Sequence, residues 1–125
     1  YLILGQGTAF VQTVNNTGKK TLIIAGVWTC VCVAFPALSA LAAGYKVYTV
    51  IDASGDVSPA VAQVTITRLS QAGAVVTTTN ALAAKLQKTW NRADASDFAE
   101  IYCSTAPNYA AVVESHFSAQ KSVMS

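Results

Sequence analysis

Thr21-Leu22-Ile23-Ile24-Ala25-Gly26-Val27-Trp28-Thr29-Cys30-Val31-Cys32-Val33 is the stretch that decides the fold. It sits between Lys20 and Lys46, which enclose no charged residue, so it must first be weighed as a membrane span, for which about 20 apolar residues suffice. Its internal order says otherwise. Residues 21–25 are a short apolar block rich in β-branched side chains that ends at Gly26, the pattern of a strand buried on both faces of a parallel sheet. Residues 33–44 are rich in Ala and Leu and close at Gly44, the pattern of a helix. A strand, a glycine-led turn and a helix put Cys32 at the turn, where a helix dipole and free amides favour a thiolate.

Outward from this unit, residues 8–17 read as a short amphipathic helix, with Phe10, Val11 and Val14 on one face and Gly18 as its stop. Lys46-Val47-Tyr48-Thr49-Val50-Ile51 is a second strand, left through the loop Asp52-Ala53-Ser54-Gly55. Pro59 opens a helix that runs through Val61, Val64, Ile66 and Leu69 to a cap at Gly73. Ala74-Val75-Val76-Thr77 is a third strand. Leu82, Ala83, Leu86 and Trp90 recur at helical spacing and predict a helix over 80–90, followed by helices over 94–102 and 107–120. Strands separated by helices give parallel βαβ units with right-handed crossovers, hence a three-layer, doubly wound α/β fold. The strand at 21–25 is expected to be the innermost of this chain, with Cys32 just beyond its carboxyl end. Pro36 costs a helical hydrogen bond unless its helix starts close before it.

The 125 residues predict a single domain, 1–125, and 53% apolar against 11% charged residues is high for a domain that must cover itself in water. A homo-oligomer, or cover from further chain, is the expectation. The net charge of +2 comes from eight Lys and Arg that are scattered rather than striped, so no nucleic-acid partner is expected. Three cysteines without a secretory signal or ligand-pair spacing argue against a disulfide framework or a metal site and for a reducing, cytoplasmic setting. Gly5-Gln6-Gly7 follows no strand and lacks a third glycine, so no dinucleotide cofactor is read from it. Because the sequence opens at Tyr1-Leu2-Ile3-Leu4, without an initiator methionine, a piece of a longer polypeptide is expected.

Gly26-Val27-Trp28-Thr29-Cys30-Val31-Cys32-Val33 resembles the nucleophile signature of the isochorismatase-like cysteine hydrolases, in which Gly-Val-x-Thr-x-x-Cys-Val follows a central parallel strand. Phe35-Pro36-Ala37-Leu38-Ser39-Ala40, Gly44-Tyr45, Val50-Ile51-Asp52-Ala53-Ser54-Gly55, Gln71-Ala72-Gly73-Ala74 and Leu86-Gln87-Lys88-Thr89-Trp90 extend the likeness, in order, to the YcaC-like branch. The resemblance implies a cofactor-free hydrolase acting on a small-molecule substrate, through a thiolate that attacks a carbonyl and a thioester that water resolves. It makes Cys32 the nucleophile, and the backbone N–H groups of Trp28 and Cys32 the oxyanion hole, after a cis peptide preceding Trp28; Val27 and Thr29 are pocket or turn residues. The family's aspartate base and orienting lysine lie upstream of the segment resembling residues 8–18, so the resemblance covers only a carboxyl-terminal two-thirds in which the first strands are missing.

The other titratable residues are weaker candidates. Lys19 and Lys20 precede the nucleophile strand at its wrong end. Asp52 follows the neighbouring strand at the correct end, although the family pattern places it in an Asp-Ala turn; its service as a base depends on reach. Cys30 is the neutral neighbour of Cys32, Cys103 is structural, and His116, beside Phe117 on the last helix, reads as a surface or interface residue. Trp28 lines a pocket or an oligomer contact. The alternative to the enzyme is a catalytically silent fragment, pseudoenzyme or assembly subunit. With no matched base, this chain by itself is expected to lack amidase activity.

Overall fold

A computed structural model describes residues 7–124; Gly5 and Gln6, read above as a poor cofactor signal, lie outside them. The chain divides after Thr79 into two compact units.

The first unit carries a parallel sheet of three strands, β1 (Thr21–Ile24), β2 (Lys46–Val50) and β3 (Val75–Thr77), in the order β1-β2-β3. Leu22 pairs with Val47 and Tyr48 with Val75. Helix α1 (Thr8–Asn16) precedes β1; a wide π turn (Thr29–Val33) leads into α2 (Ala34–Ala42), which crosses to β2; and α3 (Pro59–Gln71) crosses to β3. The fold is α/β. Alternate residues of a strand face opposite sides, and Val47 packs with Ala34 and Ala37 of α2 and Leu69 of α3 in one buried cluster. These two helices therefore cover the Val47 face. Leu69, Val33, Val47 and Thr49 are the largest side chains wholly out of solvent.

β2 has both of its edges paired within this sheet. β1 bonds only to β2 among the described residues, so its second edge is open.

The ends of α3 follow from local chemistry. The Ser58 hydroxyl accepts from Val61 N–H at 3.3 Å and Pro59 takes the first helical position, where a missing N–H is harmless. Gly73, at φ +97°, adopts a backbone that a side chain would oppose, and turns the chain into β3. Pro36 removes the N–H that an α-helix sends to the Cys32 carbonyl; the wide turn immediately before α2 accommodates its ring.

In the second unit, α4 (Thr79–Gln87) stops three residues earlier than its apolar spacing predicts. Lys88 enters the left-handed region at φ +64°, and the Arg92 guanidinium takes the end carbonyls of Leu86 and Gln87 at 3.2 and 2.7 Å. α5 (Ala95–Thr105) and α6 (Pro107–Met124) follow. No helix among the described residues is long and apolar enough to cross a membrane.

Candidate active site at the β1 to α2 turn

The site begins with two loops laced together beyond the strand ends. Val27 bridges to Gly55 as a parallel pair, Gly55 N–H donates to Gly26 O at 3.3 Å, and Thr29 N–H donates to Gly55 O at 2.8 Å. The Thr29 hydroxyl donates to the same carbonyl at 3.0 Å. Ser54 adds a third tie: its hydroxyl donates to Val50 O at 2.6 Å and accepts from Gly26 N–H at 3.2 Å. Thr29 is buried, so it anchors the turn.

From this anchor the helix starts on a single acceptor. The Trp28 carbonyl collects the N–H groups of Val31, Cys32 and Val33 at 3.2, 2.8 and 3.4 Å, and the Val27–Trp28 peptide is cis. Cys32 falls in the first turn of the helical run and its side chain is exposed. The Trp28 N–H donates to no acceptor among the described residues, whereas the Cys32 N–H already serves the Trp28 carbonyl. Val27 and Trp28, 66% and 52% exposed, are the apolar residues that follow β1.

Cys32 also lines a cavity of about 550 Å³ whose walls include Phe10 and Val14 of α1, Leu22 and Ile24 of β1, and Pro36 of α2. The apolar face predicted for α1 thus turns to a cavity, with Phe10 and Val11 still largely exposed. α1 is tied across this cavity by a hydrogen bond from the Tyr45 hydroxyl to Asn15.

Two acidic residues lie in the loop that follows β2. Asp52 accepts from the Thr79 N–H at 2.7 Å and from the Thr79 hydroxyl at 2.9 Å, both within the first unit. Asp56 was not singled out from the sequence. One of its oxygens accepts from Val57 N–H at 3.0 Å; the other is buried and takes no hydrogen bond among the described residues. The Asp56 side chain, with burial adding to its effect, pushes the Cys30 pKa above the ordinary thiol value. Cys30 and Cys103 are half-buried free thiols. His116 is exposed, its ring edge-on to Phe117 at 5.7 Å, and it belongs to the second unit. Among the described residues no group of three or more His, Cys, Asp or Glu converges as a metal site would require.

Residues 5–81, more than half of the chain, match the model of the isochorismatase domain. A probable hydrolase, YcaC, of Escherichia coli is 45% identical over 107 residues, which are 86% of this chain and 51% of the relative. The crystal structure of the Escherichia coli YcaC product, an octameric hydrolase of unknown specificity, superposes with a TM-score of 0.85 at 42% identity, covering 90% of this chain and 54% of that one. YcaC from Pseudomonas aeruginosa, solved with hexane-2,5-diol and covalent acrylamide, gives 0.82 at 41% identity, covering 88% and 54%. The chain spans about half the length of these relatives. Together, the domain match and the two YcaC superpositions establish that this chain belongs to the isochorismatase domain family and is YcaC-like within it.

Proposed function

We propose that this hydrolase works through Cys32, cleaving the C–N bond of a small amide by way of a thioester. The observation that carries the reading is the placement of an exposed thiol in the first helical turn, facing a cavity, beside an unengaged Trp28 N–H. The thiolate sulfur bonds to the carbonyl carbon and the carbonyl electrons move to oxygen. The Trp28 N–H, together with a Cys32 N–H shared with the Trp28 carbonyl, stabilises that oxyanion; fixed donors aimed at developing charge supply a large part of such catalysis. The C–N bond then breaks as the amine takes a proton, and water later displaces the sulfur to release the acid. The covalent acrylamide in the Pseudomonas relative supports the reading, since acrylamide is an electrophile to which thiolates add.

Deacylation requires a base; Asp52 is engaged by Thr79, and neither Asp52 nor Asp56 lines the Cys32 cavity. The residues described here therefore supply the acyl-accepting half of the reaction. With p-nitrophenyl acetate, the isolated chain is expected to release a single rapid equivalent of p-nitrophenol and then stop, and Cys32→Ala to release none. An unaltered burst in Cys32→Ala refutes the assignment. Steady turnover that disappears in Cys32→Ala places the base within these residues. The octameric state of the Escherichia coli relative supports a homo-oligomer here also.

A further inference from the structure

Helix α6 outruns the helix it packs on. Near its start it is held: the Tyr109 ring stands 5.8 Å from Tyr102 of α5, centre to centre, and Tyr109, Ala110 and Val113 are half-buried. From Glu114 to Met124, about 16 Å of helix, every residue is exposed. A helical segment of that length is marginal in water without packing, because its own hydrogen bonds barely offset the ordering of the chain.

The projecting segment is two-faced. Val113, Phe117, Gln120 and Met124 follow one another at alternating steps of four and three and so form one row along the helix; Phe117 is 57% and Met124 89% exposed. Ser115, Ser118 and Ser122 fall on the opposite face. Within Pro107–Met124 the only Asp, Glu, Lys or Arg residues are Glu114 and Lys121. They are two turns apart, so they flank the apolar row on the same side.

This order is self-complementary. In two helices laid antiparallel about a two-fold axis, a given flank of one faces the same flank of the other. With Phe117 against Gln120 of a second copy, and Val113 against Met124 of that copy, Glu114 comes opposite Lys121 of the second copy, and the symmetry makes this pair twice. The relationship to known proteins points to the same occupant, since the Escherichia coli YcaC product, which superposes on 90% of this chain, is an octamer.

We propose that the exposed face of α6 is an interface between two copies of this chain, packed antiparallel in that register, with the two Glu114 and Lys121 pairs fixing orientation and partner. The overlap of residues 113–124 is about 18 Å of helix, one contact of a larger assembly rather than the whole of it. None of these residues lines the Cys32 cavity, and the interface does not depend on the reaction assigned there.

The test is sedimentation of the full 125-residue chain over a range of concentrations, with Glu114→Lys, Lys121→Glu and Phe117→Asp as variants. Each single charge reversal sets like charges opposite each other twice, and is expected to raise the concentration needed for association about tenfold. An equimolar mixture of Glu114→Lys and Lys121→Glu chains restores both opposite-charge pairs across the interface, and is expected to associate as the unaltered chain does; a pairing within one helix cannot be restored by mixing. Phe117→Asp places an unpaired charge in the seam and is expected to weaken association about a hundredfold. The three positions are exposed, and circular dichroism checks that the variants keep their helix content. An unaltered chain that stays monomeric, association indifferent to the single reversals or to Phe117→Asp, or a mixture that associates no better than its components overturns the proposal.

Discussion

Cys30, Cys32 and Cys103 differ in what surrounds them, and reactivity should follow. Cys32 is exposed in a first helical turn, whereas Cys30 is half-buried with its pKa raised by Asp56. Limited iodoacetamide treatment at neutral pH, read by peptide mapping, is expected to label Cys32 first and Cys30 and Cys103 later. A raised pKa means less thiolate below it, so labelling of Cys30 should increase only at more alkaline pH than for an ordinary thiol. Asp56→Ala removes the main cause of that shift and should speed Cys30 labelling at neutral pH while leaving Cys32 the faster of the two. Cys32 was legible because its motif places it at a strand-to-helix turn. Asp56 was not, because a loop acid 26 residues after Cys30 shows no relation to it until the tie between Thr29 and Gly55 joins the two loops. Asp52, the acid that sequence position favours, proves to hold Thr79.

The secondary elements test whether the site's scaffold is understood. Ser58→Ala removes the hydroxyl that caps α3 and should lower stability by about 1 kcal/mol, and Leu69→Ala, cut into the core shared by β2, α2 and α3, by about 2 to 5 kcal/mol. Urea unfolding measures both, and a smaller loss from Leu69→Ala than from Ser58→Ala contradicts the packing described. The strands and helices among the described residues could be read from apolar period and from Pro59, Gly44 and Gly73, because these act within a few residues. The π turn could not: it depends on the Trp28 carbonyl collecting three amides, which no spacing signals. The end of α4 at Gln87 was also hidden, since Leu86 and Trp90 keep helical spacing while Lys88 and Arg92 impose the stop. An apolar run states that a strand is buried, not which neighbour buries it, so the order β1-β2-β3 could not be read from it.

The described residues leave much apolar surface exposed, including Ile23, Val27, Trp28, Phe117 and Met124, and among them β1 pairs on one edge alone. Light scattering at micromolar concentration is expected to find an oligomer, by the same reasoning that larger apolar patches mark association sites; a clean monomer contradicts it. In this YcaC-like member of the isochorismatase family, the proposed reaction requires the acyl group to be carried on the Cys32 sulfur. The most direct measurement is peptide mass mapping of the chain after brief reaction with p-nitrophenyl acetate and an acid quench. An acetyl group is expected on the peptide segment containing Cys32, assigned to that sulfur by fragmentation and absent from Cys32→Ala. Acetylation spread evenly over Cys30, Cys32 and Cys103, or confined to either of the other two, contradicts it.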